Sequence, residues 1–320
     1  MSWSVNVPSL FSVRESRFVR GLVFIGITTL FWGVLPIFLK AALKEFSPET
    51  IAWFRFTFAF AVLFVVLVLT GTRSLTLLRI PPGLALVGGV CLSGNYLAMT
   101  MGIHFSGPSN AAILIQLAPV LLVVVGVFVF HESLAPLQVV GMLVAGLGLY
   151  LFYSDQRALA LNAALYSSAS LIIIVAAVVW VAYMACQKKL SPLHGAQHLN
   201  FWVYGTAMVT LAPFVPFAEF SNLRPGNLWV LVFLGLNTLI AYGTLAEAVK
   251  YIPLSIISVV TALNPLITLS GMLLLEKIQP AWLDPENISL MGYLGALTAI
   301  GGVVMVVSRR KPEGGGGPSS

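Results

Sequence analysis

The chain has 320 residues, of which 58% are hydrophobic and only 9% are charged, and its mean hydropathy is +0.96. A soluble globular protein averages roughly 25% charged residues, so this composition excludes a soluble fold. The net charge of +6 does not indicate nucleic-acid binding, because the basic residues are scattered singly and form no stripe or patch.

Ten apolar stretches follow one another along the chain, and each is close to the roughly 20 residues that a helix needs to cross a bilayer. The first half contains five: Leu22–Leu43, Glu49–Thr70, Pro82–His104, Asn110–Phe130 and Ala135–Tyr153. The second half contains five more: Ser168–Gln187, His198–Phe217, Asn227–Val249, Ser255–Leu275 and Asn287–Val307. The sequence therefore predicts an all-α integral membrane protein with ten transmembrane helices. Pro119 and Pro265 should kink the fourth and ninth and free backbone groups there.

The basic residues predict the orientation in the membrane. With the N-terminus in the cytoplasm, the inner connections carry eleven Lys and Arg residues and the outer ones five. Short loops rich in Lys and Arg stay cytoplasmic, so we expect both termini inside, in a bacterial inner membrane. The exception is Arg55, which falls within a span. We expect it to pair with a helix end or to extend to the interface, and binding of a substrate carboxylate is the alternative.

The two halves match each other in the same order along the chain. The matched positions are Trp32 with Trp180, Tyr96 with Tyr242, Pro119 with Pro265, Gly141 with Gly295 and Gly148 with Gly302. Collinear matches at a nearly constant offset indicate duplication of a five-span unit. A unit with an odd number of spans, copied in tandem, lies upside down relative to its twin, and such inverted repeats place a transport site at their interface near the midplane.

The expected organisation has four parts. Residues 1–20 form a cytoplasmic N-terminal segment, 21–154 the first repeat, 155–310 the inverted second repeat, and 311–320 a flexible tail. The small residues Gly141, Gly148, Gly295 and Gly302 should let the fifth and tenth helices pack closely at the periphery of the path.

Several short motifs carry a family resemblance. They are FWG at Phe31–Gly33, SPETIAWFRF at Ser47–Phe56, QLAP at Gln116–Pro119 and ALNP at Ala262–Pro265. In the order of these motifs and in their two-fold recurrence, the chain resembles the ten-helix EamA-type exporters of the drug/metabolite transporter superfamily. Within that superfamily it looks most like the YddG group of amino-acid exporters. The resemblance implies secondary transport that moves aromatic and some other neutral amino acids outward.

Polar and aromatic residues at membrane depth are the candidates for lining the path, because polar groups there usually face the bundle interior or a wet cavity. An aromatic wall with amide and hydroxyl tips suits an amino acid with an apolar side chain. The predicted substrate-binding residues are Trp32, Asn95, Tyr96, Asn110, Gln116, Trp180, Tyr183, Asn237, Tyr242, Thr261 and Asn264. Buried amides and hydroxyls also join helices to one another, so both roles stay open for these residues.

Two other classes remain as alternatives. A carrier of another metabolite, such as a nucleotide sugar, a phosphorylated sugar or a drug, shares the superfamily, but anionic substrates favour several cations in the cavity and only Arg55 is available. An intramembrane enzyme or an assembly subunit is the third class, although no nucleophile elbow or phosphate-binding loop is present.

We expect no catalytic residue, no cofactor and no metal, since His194 and His198 lack a third ligand nearby in the sequence. The expected partners are an amino-acid substrate and the lipid bilayer, with no nucleic acid, and we expect the protein to function as a monomer.

Overall fold

The computed structural model describes residues 10–69, 81–131, 133–222, 225–248, 251–280 and 286–308, and every regular element in these ranges is a helix. The predicted tail at 311–320, with Lys311, and five more of the predicted inner basic residues lie outside the described residues: Arg73, Arg79, Lys250, Arg309 and Arg310. An all-helical chain with this hydropathy confirms the predicted fold class.

Across the described ranges, twelve α-helices fall in the regions of the ten predicted spans. The first repeat contains α1 (Leu10–Ala42), α2 (Pro48–Leu69), α3 (Gly83–Ser106), α4 (Pro108–Leu114), α5 (Leu117–Phe130) and α6 (Pro136–Leu159). The second repeat contains α7 (Ala163–Leu190), α8 (Ala196–Leu211), α9 (Pro225–Ala248), α10 (Leu254–Thr261), α11 (Asn264–Ile278) and α12 (Leu290–Ser308). Among the described residues, nine segments are long and apolar enough to cross a membrane, with α4 and α5 counted together and the end of α10 counted with α11.

The remaining span, the seventh in chain order, is shorter than predicted. The sequence predicts a helix over His198–Phe217, but α8 ends at Leu211 after 16 residues and continues as two 3₁₀ segments, Ala212–Phe214 and Phe217–Asn222. Pro213 and Pro216 explain the change, because proline has no backbone N–H to continue an α-helix. An α-helix of this length spans about 24 Å, less than the hydrocarbon core.

The fourth and ninth spans are broken where prolines follow. α4 ends at Leu114 and α5 begins at Leu117, just before Pro119, while α10 ends at Thr261 and α11 begins just before Pro265. In both breaks a backbone N–H bonds the carbonyl three residues earlier, as in a 3₁₀ turn: Gln116 N bonds Ile113 O at 3.1 Å, and Leu263 N bonds Val260 O at 3.2 Å. The predicted kinks are confirmed, and they occupy equivalent places in the two repeats.

Each repeat packs against the other along most of its helices. The most extensive contacts are between α6 and α12, α3 and α7, α1 and α9, α3 and α8, and α2 and α8, and every one of these pairs joins the two repeats. The pair α3–α7 corresponds to the pair α9–α1 when the repeats are exchanged. The pattern is that of two inverted repeats related by a pseudo-two-fold axis, as the sequence predicts.

The close approach of α6 and α12 depends on glycine. A Cβ atom on Gly148 would lie 2.1 Å from Ala299 N, and one on Gly302 would lie 2.2 Å from Ala145 N. No side chain fits at such separations, so only glycine lets the two backbones touch. The predicted close packing of these helices is confirmed. α6 also continues through residues 154 and 155, where the sequence predicts the repeat boundary, and ends at Leu159.

Candidate functional site

Aromatic side chains from both repeats meet within the bundle. Phe56, Tyr96, Trp180, Tyr183, Tyr204 and Tyr242, here called the aromatic cluster, belong to one apolar core. The Phe56 ring lies 4.4 Å from that of Tyr96 and 6.0 Å from that of Tyr204, centroid to centroid. Trp32 joins the cluster edge-on to Tyr242 at 5.6 Å. The structure thus brings together all five predicted aromatic site residues, and it adds Phe56 and Tyr204, which sequence reasoning missed.

The cluster lies where the repeats meet. Tyr96 on α3 lies near its repeat mate Tyr242 on α9, and the phenols of Tyr183 and Tyr204 are close enough to interact with that of Tyr242. Tyr96 and Tyr183 are only 7% and 3% exposed, whereas Trp180 and Tyr242 are half-buried. The Tyr183 hydroxyl accepts a hydrogen bond from Gln187 Nε2 at 2.9 Å, which fixes the direction of the phenol.

Arg55 lies against this cluster, and the predicted pairing with a helix end or extension to the interface is wrong. Its side chain is 3% exposed, and its guanidinium Cζ lies 4.3 Å above the centre of the Tyr96 ring. Its Nε donates a hydrogen bond to Thr238 Oγ1 at 3.1 Å. The sequence did carry a signal for Arg55, since an ionisable residue within a span is a functional candidate by default; its proximity to Tyr96 follows only from the packing of α2 on α3 and α9.

Two predicted amides join helices across the repeat interface. Asn95 Nδ2 donates to Ala176 O at 2.9 Å, which ties α3 to α7, and Asn237 Nδ2 donates to Phe31 O at 2.7 Å, which ties α9 to α1. The two bonds therefore join equivalent helix pairs, α3–α7 and α9–α1. Asn237 Oδ1 is buried without a hydrogen-bond partner among the described residues.

The remaining predicted polar residues lie at the helix breaks and at one end of the bundle. Gln116 Nε2 donates to Ala262 O at 2.8 Å. Thr261 Oγ1 bonds its own helix at Ile257 O, and Asn264 is half-buried at the start of α11. Asn110 instead occupies the first turn of α4, where its amide bonds Tyr166, Ser106 and Ser170 at 2.6, 2.8 and 3.1 Å. These three bonds engage the Asn110 amide in packing, away from the aromatic cluster.

A cavity of about 300 Å³ opens at the end of the bundle that the sequence predicts to face outward. Lys40, Tyr166 and Glu286 contribute its polar lining. The Glu286 carboxylate accepts hydrogen bonds from Ser109 N at 3.2 and 3.3 Å, and so satisfies a free amide at the start of α4. Burial raises the pKa of Glu286 to about 7, aided by the nearby Glu276, while the Ser109 bonds and Lys40 act in the opposite direction.

Gly107 makes this contact possible. Its φ of +89° lies in a region that disfavours residues with a side chain, and a Cβ atom there would collide with the Glu286 carboxylate. Among the described residues no group of three His, Cys, Asp or Glu side chains could hold a metal ion. The groups brought together within the bundle are aromatic rings, hydroxyls, amides and one guanidinium, a set with the chemistry to contact a small organic solute.

Comparison with known proteins agrees with this architecture. The EamA-like transporter family matches the chain twice, over residues 19–154 and 167–308. An uncharacterized transporter of Haemophilus influenzae is 30% identical over 286 residues, covering 89% of this chain and 94% of that protein. The uncharacterized inner membrane transporter YhbE of Escherichia coli K12 is 31% identical over 281 residues, covering 87% and 88%.

A solved structure described as "Crystal structure of protein" superposes with a TM-score of 0.61 at 21% identity, over 93% of this chain and 100% of that one. At this identity the likeness concerns the fold alone. The two family matches fall on the two inverted repeats and together span most of the chain. This multi-pass membrane protein therefore belongs to the EamA-like transporter family.

Proposed function

We propose that the protein is a secondary transporter that exports aromatic and other neutral amino acids by alternating access along a path between its two repeats. The observation that carries the proposal is the aromatic cluster, to which both repeats contribute and which meets the buried guanidinium of Arg55. Rings with phenol tips offer an apolar side chain a large contact area, and the adjacent polar groups fit the charged end of an amino acid.

The helix breaks support the alternating-access part of the proposal. The α4–α5 and α10–α11 junctions lie in equivalent spans, and one polar bond, from Gln116 to Ala262, connects them. Discontinuous helices at repeat interfaces surround the site in many transporters, because freed backbone groups and short helical pieces can shift without unfolding the span. In this proposal Gln116 and Asn264 act on every substrate, whereas the aromatic cluster discriminates among side chains.

The proposed location is a bacterial inner membrane, where the name of the E. coli relative places that protein. A monomer is the proposed functional unit, because the path runs between two halves of one chain. A carrier of nucleotide sugars or phosphorylated sugars is the weaker alternative, since a single buried Arg55 provides little positive charge for a phosphate group.

The test is counterflow in proteoliposomes that contain only this protein. Vesicles loaded with unlabelled substrate should accumulate labelled Phe and Trp rapidly, and Thr and Ala more slowly, while empty vesicles should not. A second set, with an imposed pH gradient, tests coupling to protons. Counterflow of a nucleotide sugar or triose phosphate without amino-acid counterflow would support the alternative carrier, and no flux of any solute would favour an assembly subunit.

A further inference from the structure

Within the part of the chain that the structure describes, Arg55 is a buried cation without a counter-ion. No acidic residue of the sequence lies in the middle of a span: Glu49 is in the first turn of α2 and Glu247 in the last turn of α9. Within the described ranges Arg55 forms no ion pair, and the ionisable groups with the strongest influence on it are Tyr96, Tyr242 and Tyr204. Because arginine stays protonated in proteins, the positive charge persists although the side chain is only 3% exposed.

Such a charge is costly to bury unless an anion or several acceptors neutralise it. Tyr96 compensates in part through its ring face. Thr238 Oγ1 accepts a hydrogen bond from Arg55 Nε and donates its own hydroxyl hydrogen to Leu234 O at 3.1 Å. A lone pair of this hydroxyl is therefore directed at the guanidinium. These contacts fix the orientation of Arg55 and engage one of its five N–H groups.

The rest of the guanidinium is the part that binds carboxylates. Nη1 and Nη2 have no hydrogen-bond partner among the described residues, and this edge matches the two oxygens of a carboxylate. The phenols of Tyr204 and Tyr242 lie close enough to influence the same charge, and an O–H group can donate to a carboxylate as well. The wall next to Arg55 is aromatic, so the remainder of the ligand is apolar.

We propose that Arg55 binds the carboxylate of the transported solute, which lies with its apolar side chain against the aromatic cluster. This inference rests on the proposed function in taking the solute to be an amino acid. It assigns Arg55 to recognition of the carboxylate that all amino acids share, and it leaves discrimination among side chains to the rings.

The test compares three ligands and three variants. L-phenylalanine has both charged groups, 3-phenylpropionate only the carboxylate, and L-phenylalaninamide only the ammonium. The variants are Arg55→Met, Arg55→Lys and the control Arg157→Met, which removes an exposed arginine at the end of α6. Ligand-induced stabilisation is measured on purified protein in detergent, after size-exclusion chromatography has shown that each variant is folded.

We expect phenylalanine and 3-phenylpropionate, but not the amide, to stabilise the wild type and Arg157→Met. Arg55→Met should need about 10- to 100-fold more carboxylate for the same effect, the range expected for losing a charged hydrogen bond. Arg55→Lys should fall between, since lysine keeps the charge but loses the bidentate geometry. If Arg55→Met does not fold, Arg55→Lys carries the test.

Equal stabilisation of the Arg55 variants and the wild type would overturn the inference. So would a wild type that is stabilised as strongly by the amide as by the acids, or a wild type that none of the three ligands stabilises. The outcome is separable from the proposed function. Amino-acid counterflow by the wild type that persists undiminished in Arg55→Met refutes only the role of Arg55. Stabilisation by 3-phenylpropionate through Arg55, without amino-acid counterflow, refutes only the proposed substrate.

Discussion

The Gln116 side chain donates its hydrogen bond to the carbonyl of Ala262, the residue 146 positions later, and 146 is also the offset between Tyr96 and Tyr242. Both residues lie at the breaks that divide the fourth and ninth spans. The Ala262 carbonyl is available to Gln116 because Leu266 N, which would bond it in a continuous α-helix, bonds Leu263 O instead. The carbonyl that the break leaves without a helical partner thus accepts its hydrogen bond from Gln116 of the other repeat.

We expect Gln116→Leu to reduce transport of every substrate, because it removes the connection between the two broken spans. It should also lower stability by about 1–3 kcal/mol, since a buried carbonyl is left unsatisfied. The matched control is Gln138→Leu, which removes a similar bond from Gln138 Nε2 to Val306 O between α6 and α12, outside the proposed path. Counterflow is compared at equal amounts of folded protein. If both variants transport equally well, the Gln116 bond serves packing alone.

Gly148→Leu should lower the yield of folded protein without changing substrate preference, because any side chain at this position collides with the backbone of α12. The control is Gly146→Leu on the same helix, where an added Cβ meets no atom within 4 Å. Detergent-soluble monodisperse protein and the Phe-to-Ala ratio of counterflow are the two measurements. A normal yield with a shifted ratio would mean that α6 lines the path.

Removal of a ring from the aromatic cluster should change selectivity. Trp180→Ala or Tyr183→Ala should weaken transport of Phe and Trp by about fivefold more than that of Ala or Thr, because a stacked ring gains roughly 1 kcal/mol beyond area burial. Trp229→Ala is the control, since Trp229 is 72% exposed near the start of α9. A uniform loss for all four substrates would show that these rings shape the bundle and do not discriminate among side chains.

The sequence predicts the fold well because membrane helices carry strong local signals. Length and hydropathy place the spans, and Pro119 and Pro265 mark the breaks within a few residues. The exception is instructive: the chain stays apolar through Phe217, but Pro213 and Pro216 end α8 early. Hydropathy records the depth of a residue in the membrane, whereas backbone hydrogen bonding decides whether that residue is helical.

The candidate site is predictable only in part, because side-chain partners depend on how helices pack. Repeat matching identified Tyr96 and Tyr242, and the structure brings them together. Repeat matching could not show that the Asn110 side chain bonds Tyr166 at one end of the bundle, nor that the Arg55 side chain packs on the Tyr96 ring. Tyr204, in the middle of α8, had no signal in the repeat, so its place in the cluster emerges only from the contact between α2 and α8.

Glu286 should make stability depend on pH. Its pKa rises from 4.5 to about 7 on folding, mainly through burial, with Glu276 acting in the same direction and Ser109 and Lys40 against it. The folded protein therefore holds this proton more tightly than the unfolded chain does. Its contribution to stability is fully present below pH 4.5, is lost as the pH rises from 4.5 to 7, and stays constant above pH 7.

We expect Glu286→Gln to flatten this part of the pH profile, because glutamine keeps the shape of the side chain but cannot ionise. The measurement is the thermal unfolding midpoint in detergent between pH 4.5 and 8. Glu219→Gln is the matched control, since Glu219 accepts a bond from Ser47 N beside the start of α2 at 3.2 Å. That variant should keep the pH dependence of the wild type, because Glu286 is intact. An unchanged profile in Glu286→Gln would show that another group titrates in this range.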